Sequence, residues 1–525
     1  MVQAPLLGAS LPTHILATIR YQSCGLYTIG RNGLSRVPRV AATTRRKIHS
    51  STTRPSAPAE QSAIAATSSV PSLPTEIPGQ SIPMAKAAPL SVLPLSTVLR
   101  NLATTSISSS PILLPPSLTM MNVLAHSKQA ALNPDKNPLL RWFLKKTFYA
   151  QFCAGENAAE VRRTIDDLKK IGFTGVILGY AREIVLSEAQ TRDLSACDAG
   201  PVADECVRDE ITPWAAGTLA TVRLARPGDF VALKFSGAGR QALYALKNRL
   251  PPPKHLRAAI DEICETAADR DVPLLFDAEQ MAVQAGIDDW TLAYQRRYNA
   301  KTPGHAIIYG TYQAYLKSTP ATLGAHLAAA TEEGFTLGVK LVRGAYLGAD
   351  PRHIIHDTKA DTDAAYNGIA ASLICRRWGA VLQAPPSSKK GKEEGKEAEK
   401  LPFPRVSILL GSHNLESVRW ARAIRDSSEA DRSTELAIAQ LQGMADEVSC
   451  ELVYAAKQKE GYVREKGDVP KAYKYIVWGT TGECMKYLLR RAHENKDAVA
   501  RTRSGRDAMW NEVRRRVRGY FGLAA

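Results

Sequence analysis

Two short stretches carry side chains whose types and spacing suit the capture of a small carboxylate beside an anionic ligand. The first runs Gly338-Val339-Lys340-Leu341-Val342-Arg343-Gly344-Ala345-Tyr346-Leu347. Val339, Leu341 and Val342 suit a strand covered on both faces, which puts Lys340, Arg343 and Tyr346 at its carboxyl end. Cations there need a partner, and a glycine directly after a strand, here Gly344, lets backbone approach an anion closely. The second stretch, Tyr487-Leu488-Leu489-Arg490-Arg491-Ala492-His493-Glu494-Asn495, reads as the late part of a helix running from Gly482. Tyr487 precedes Arg490 and Arg491 by three and four residues, so the phenol and a guanidinium share one face. Guanidinium forks are natural bidentate partners of a carboxylate. Taken singly, each stretch also fits solvated cations at the end of an element.

Groups so far apart along the chain need a frame to bring them together. Eight short apolar runs supply candidates: 176–180, 230–235, 273–277, 306–310, 338–343, 406–411, 437–442 and 473–478. Most intervals hold an amphipathic helical pattern, such as 254–270 and 322–333, and a helix over 157–171 with Val161, Ile165 and Leu168 on one face precedes them. This alternation predicts an α/β fold, a distorted (βα)8 TIM-type barrel over 135–500 with insertions near 183–229 and 383–404; an open doubly wound sheet is the competing architecture. Chemistry in such a barrel sits at the carboxyl ends of the strands. Those ends carry Lys234, Asp277, Lys340 with Arg343 and Tyr346, His413, Gln442 and Tyr475, a cation-rich, aromatic-lined rim suited to an anionic cofactor and a small carboxylate.

The rest of the chain narrows the class. The net charge of +17 suggests nucleic acid or an acidic membrane, yet eight of the cations precede Glu60, where there is no Asp or Glu at all. An Arg-rich, acid-free, Ser/Thr-rich beginning predicts a mitochondrial presequence over 1–59. Residues 60–134, rich in Ala, Ser, Thr and Pro, read as a low-complexity linker. The eight cysteines include no CxxC pair, which argues against a zinc site and a disulfide framework and leaves no metal expected. Gly237-Ala238-Gly239-Arg240-Gln241-Ala242 imitates a dinucleotide fingerprint, but the next strand ends in its acid, Asp277, far too late for one. Within the basic tail 501–525, Trp510, Val513, Val517 and Tyr520 recur at helical spacing among Arg514, Arg515, Arg516 and Arg518, fit either to lie on an acidic membrane or to pack on the barrel wall.

Assembled in order, these pieces resemble the monofunctional eukaryotic form of proline dehydrogenase, a mitochondrial flavoenzyme. The likeness rests on 146–156, Phe276-Asp277-Ala278-Glu279-Gln280, 311–317, the Lys340 to Tyr346 stretch, Ser412-His413-Asn414, Gln440-Leu441-Gln442-Gly443-Met444 and Tyr487 to Asn495. The resemblance implies noncovalent FAD, oxidation of L-proline to pyrroline-5-carboxylate by hydride transfer from C5 to flavin N5, and ubiquinone or a similar acceptor. A peripheral contact with the inner mitochondrial membrane from the matrix side and no nucleic-acid partner go with it. It further implies a carboxylate clamp of Lys234, Arg490 and Arg491, ring walls of Tyr346, Leu441, Tyr475 and Tyr487, and FAD contacts at Asp277, Lys340, Arg343, Gly344, Thr358, Lys359, His413 and Glu494. Asp277 is implied as the acid that positions the cations. A branch acting on hydroxyproline has a smaller residue where this chain has Tyr475, which favours proline. Gly310, and Gly179-Tyr180 in the first strand, depart from the family pattern. Rival readings are another FAD barrel, such as a hydroxyproline dehydrogenase or a folate reductase, and a noncatalytic basic protein binding RNA or membrane.

Overall fold

A computed structural model describes residues 88–182, 194–197, 200–385, 401–461, 468–494 and 499–522. The presequence expected over 1–59 lies outside them, as do most of the solvated loop at 383–404 and part of the insertion at 183–229. Nine strands form one parallel sheet: β1 Cys153–Gly155, β2 Gly175–Tyr180, β3 Phe230–Leu233, β4 Leu274–Phe276, β5 Ile308–Gln313, β6 Leu337–Val342, β7 Val406–Gly411, β8 Glu435–Leu441 and β9 Lys471–Trp478. β2 to β9 pair in sequence order, and β9 returns to pair β2 in register from Gly175↔Tyr473 to Tyr180↔Trp478. The sheet is therefore a closed eight-stranded barrel of TIM type, not an open one. β1 extends the edge of β9 beyond the last pairing with β8.

Each run named in the sequence became a strand, with one notable displacement. β5 reaches Gln313 instead of stopping at Gly310, because its ladder with β6 continues to Gln313↔Val342. Strand parity then decides the contents of the barrel. Ala232, Leu275, Leu409, Ala439 and Tyr473 belong to the cluster inside it, while Val231, Leu274, Leu410, Ile438 and Ile476 pack outward against the helices. Since side chains alternate along a strand, counting two residues on from the inner layer reaches Lys234, Asp277, Leu441 and Tyr475, and four residues on from Leu409 reaches His413. The rim is thus the continuation of the inner layer past its apolar part.

Part of the segment expected to be linker is folded. Helices Leu95–Ser108 and Leu114–His126 lie within it, and Val98, Asn101, Met121, Leu124 and Ala125 are buried. Composition misled because the hydroxyls turn inward on the helix itself: Thr104, Thr105 and Ser108 donate to the carbonyls of Arg100 (3.0 Å), Asn101 (2.7 Å) and Thr104 (2.9 Å). The C-terminal tail is also integrated, as helix Val499–Tyr520 packed mainly on Leu95–Ser108 and, through Met509, on the barrel helix that carries Cys450. Its buried side shares only Val513 with the predicted stripe. Met509 and Glu512 face inward, with Arg515 and Arg516 wrapped onto the Glu512 carboxylate, while Trp510, Val517 and Tyr520 are exposed.

One buried polar link ties this outer layer to the barrel. Lys474, on the outer face of β9, donates to Asp446 Oδ1 at 2.5 Å, and Asn101 Nδ2 donates to Asp446 Oδ2 at 2.7 Å. Asp446→Ala strands the Lys474 ammonium in a dry site, so it should cost roughly 3 to 5 kcal/mol, read by chemical denaturation; a loss well under 1 kcal/mol contradicts the link.

Candidate active site

At the centre of the mouth stands a carboxylate flanked by a cation and a phenol. Lys340 Nζ donates to Asp277 Oδ1 at 2.5 Å with both side chains nearly buried, and the Tyr475 hydroxyl donates to Asp277 Oδ2 at 3.4 Å. The Lys340 ammonium also lies 5.6 Å from the centre of the Tyr475 ring. β4, β6 and β9 are not neighbours of one another in the ladder, so these contacts run across the barrel opening.

The helix Thr481–Glu494 closes over this group, and acids from distant segments set its start. Glu156 Oε1 accepts from the Thr481 amide and hydroxyl at 2.8 and 2.6 Å, and Asp135 Oδ1 accepts from the Gly482 amide at 2.9 Å. Carboxylates at these free amides satisfy the helix's unpaired donors and complement its dipole. Glu156 is held in turn by Lys145 at 2.8 Å. With the start fixed, Cys484, Tyr487 and Leu488 fall on the buried face, and the Arg491 guanidinium stacks 5.5 Å from the centre of the Tyr487 ring.

Electrostatics connect the helix to the rim. Burial pushes the Tyr487 hydroxyl up to about 12, against the pull of Arg491 and Arg490. Burial likewise raises Tyr346, which feels Glu279, Arg491, Asp277 and Arg490, and its hydroxyl donates to the Ala278 carbonyl at 3.2 Å. Tyr475 is raised by burial and then by Asp277. The phenols therefore stay neutral and can wall a pocket without adding charge.

A second group adjoins the first along the strands β6 and β7. Arg343 pairs with Asp363, which also accepts from Lys359 Nζ at 2.6 Å, and the Arg343 guanidinium lies 5.6 Å from the centre of the Tyr366 ring. Thr358 caps helix Lys359–Ile374 in a reciprocal box with Asp361, which accounts for its hydroxyl. His413 Nε2 accepts from the Leu441 amide at 3.1 Å and so bridges the ends of β7 and β8. Gly344, at φ +145°, has a structural reason of its own: a Cβ there meets the Tyr315 ring at 2.4 Å. The Glu494 side chain lies outside the described residues. A cavity of about 1290 Å³ touches both groups at their edges, at Tyr475 and Lys359, and is lined at its inner end also by His413, Leu441, Tyr487 and Arg491.

Several functional neighbours were not singled out by sequence. Glu279, fully buried and raised by that burial, accepts from the Ser236 amide at 2.9 Å and feels both Lys234 and Asp277. Its place two residues after Asp277 is the one signal that pointed to it. Asp363 lay four residues after Lys359 on one helix face, a readable pair. Gln313, whose Oε1 accepts from the Ala345 amide at 3.1 Å, was signalled only as part of the 311–317 stretch that carries the resemblance. The glycine-rich decoy proves to be packing: Gly237 abuts Trp214, whose Nε1 donates to the Lys234 carbonyl at 3.1 Å, and Gly239 lies against Glu210, the buried partner of Arg240.

Family comparison matches the description "Proline dehydrogenase" to residues 161–504. This chain belongs to the proline dehydrogenase family. A probable mitochondrial proline dehydrogenase of Schizosaccharomyces pombe is 27% identical over 421 residues, covering 71% of this chain and 80% of the relative. The hydroxyproline dehydrogenase of Bos taurus is equally similar, 27% over 408 residues, covering 72% and 82%. Among solved structures, the proline utilization A protein of Bdellovibrio bacteriovorus shares the fold, with a TM-score of 0.51 and 17% identity over 72% of this chain; the match spans 37% of that longer chain. Against the proline dehydrogenase pattern, the departure at Gly179 has a local reason, since a Cβ there lies 3.0 Å from the Tyr475 hydroxyl.

Gly179→Ala should crowd that phenol and cost about 1 kcal/mol. In a Tyr475→Phe background the cost should vanish in a double-mutant cycle of thermal unfolding; a cost that persists unchanged removes the contact from consideration.

Proposed function

We propose that this chain oxidises L-proline to 1-pyrroline-5-carboxylate in the mitochondrion, with FAD as its cofactor and ubiquinone or a similar quinone as final acceptor. The observation that carries the reading is the convergence of Arg490 and Arg491 with Tyr346, Tyr475 and Tyr487 around the Asp277–Lys340 pair. Family membership and relatives named mitochondrial proline dehydrogenases support it. In net terms proline loses a hydride from C5 and a proton from nitrogen, and the quinone gains two electrons and two protons to become a quinol. A peripheral contact with the inner membrane belongs to the same reading.

The residues present fit FAD. Ligand sites commonly run to about 1,000 Å³, and the cavity of about 1290 Å³ that reaches Lys359, His413, Tyr475 and Arg491 is large enough to admit part of a dinucleotide. Arg343 and Lys359, gathered on Asp363, would hold its phosphates, with Lys340, Gly344, Thr358, His413 and Glu494 as its further contacts. When bound, FAD supplies a hydride acceptor.

The chain's own groups do the aiming. Arg490, Arg491 and Lys234 grip the substrate carboxylate, and the three phenols with Leu441 enclose the ring, so C5 is presented in one orientation. Clustered cations disfavour the protonated amine by like-charge repulsion, which leaves the nitrogen lone pair available. Asp277 keeps Lys340 in place and limits how far that repulsion acts. Against hydroxyproline, the other substrate among the relatives' names, Tyr475 is the decisive wall: it is half-buried and anchored to Asp277, where a ring hydroxyl needs space.

Purified protein should be yellow, and anaerobic proline should bleach it; a colourless protein that does not take up FAD sinks the proposal. Arg490→Ala and Arg491→Ala should each raise the KM for proline about a hundredfold, whereas normal kinetics in both refute the clamp. Arg343→Ala should weaken FAD retention, and Lys340→Ala should slow reduction. Tyr475→Ser should move the kcat/KM ratio toward hydroxyproline by about tenfold or more; an unmoved ratio excludes Tyr475 from the choice.

A further inference from the structure

The folded N-terminal hairpin carries an apolar surface that the barrel does not cover. Ile112, at the turn between helices Leu95–Ser108 and Leu114–His126, is 81% exposed, and Leu113, Met120 and Val123 are exposed beside or after it. Leu139, Trp142 and Phe143 are exposed on the next helix, Pro138–Leu144. From Asn101 to Ser127 the chain has no Asp, Glu, Lys or Arg. Cations flank this stretch at Lys128, Lys136 and Lys146, all exposed. Over 88–155 the one acid is Asp135, engaged at the start of helix Thr481–Glu494.

Continuity with the site gives the surface a purpose. Leu99, Ile107, Met120 and Phe143 are exposed and line the outer end of the same cavity whose inner end is formed by Leu441, Tyr475 and Tyr487. The hairpin is thus the apolar mouth of the candidate active site.

We infer that this hairpin, with Trp142 and Phe143, rests on an anionic lipid bilayer and opens the cavity toward the hydrocarbon, so that a lipid-soluble acceptor reaches the site without crossing water. Charge complementarity selects this occupant. An uncharged apolar tip, with exposed ammonium groups beyond the far end of its second helix and around the next one, fits lipid tails and anionic headgroups. A second copy of the same face brings like charges together. The chain's own residues 1–59 are acid-free and basic and so are repelled in the same way. The helices have 14 and 13 residues, about 20 Å each, against a core of about 30 Å. No described helix is long and apolar enough to cross a membrane, so the hairpin lies in the interface. The predicted tail contact is a weaker candidate, since Arg515 and Arg516 are tied to Glu512.

The inference rests on the quinone part of the proposed function, but its test does not need turnover. The full chain is floated with phosphatidylcholine vesicles with and without phosphatidylglycerol, alongside an Ile112→Asp/Leu113→Asp variant and an Arg514→Glu/Arg518→Glu tail variant. The hairpin variant should lose about tenfold of its partition to anionic vesicles, with unchanged thermal unfolding and unchanged proline oxidation by a water-soluble dye, and should slow with vesicle-embedded quinone. Unaltered partition in the hairpin variant, or loss of binding in the tail variant alone, overturns the inference. So does light scattering that shows the apolar face holding a dimer which the hairpin variant dissolves. Vesicle binding without proline-dependent bleaching leaves the surface standing and removes the proposed reaction; bleaching without vesicle binding does the reverse.

Discussion

The mouth of the barrel depends on one buried carboxylate. Asp277 takes the Lys340 ammonium on one oxygen and the Tyr475 hydroxyl on the other. Without it, Lys340 faces the field of Arg490 and Arg491 in a poorly hydrated place, where like charges repel strongly. With it, the Lys340 charge is neutralised locally. Glu279, two residues on and equally buried, is raised by that burial and accepts from the Ser236 amide.

The frame was legible because its signal is local and periodic. Eight runs of the right length alternate with amphipathic helices, and two-residue parity alone carries the inner layer onward to Asp277, Leu441 and Tyr475. Tyr487, Arg490 and Arg491 were legible for the same reason at helical spacing. Where β5 ends was not, because its last ladder pairs are decided by β6 and not by its own residues. The hairpin was hidden differently: a Ser/Thr-rich, Pro-broken stretch has the composition of a linker, and only tertiary burial of Val98, Asn101 and Leu124 makes it a folded element.

What sequence could not reach are contacts between distant segments that position the named residues without touching a ligand. Glu156 and Asp135 fix the start of the helix that carries both arginines, and each lies more than 300 residues away from it. Trp214, from the insertion, holds the carbonyl of Lys234. Gly344 was read for the approach of an anion, yet the Tyr315 ring alone demands it. A glycine after a strand reports that something comes close; which thing comes close is a property of the fold.

The outer hairpin and the inner wall are joined through a single strand. Lys474 and Tyr475 are consecutive on β9, so they point to opposite faces. Lys474 reaches outward through Asp446 to Asn101 on the first hairpin helix, while Tyr475 reaches inward to Asp277. Both links are hydrogen-bonded, the first buried and the second part-buried, and they hang from adjacent residues of one strand. The helix that borders the apolar mouth and the phenol that reaches Asp277 are therefore registered against two adjacent residues, which gives the fold a mechanical reason to keep a polar link buried where an apolar contact would cost less.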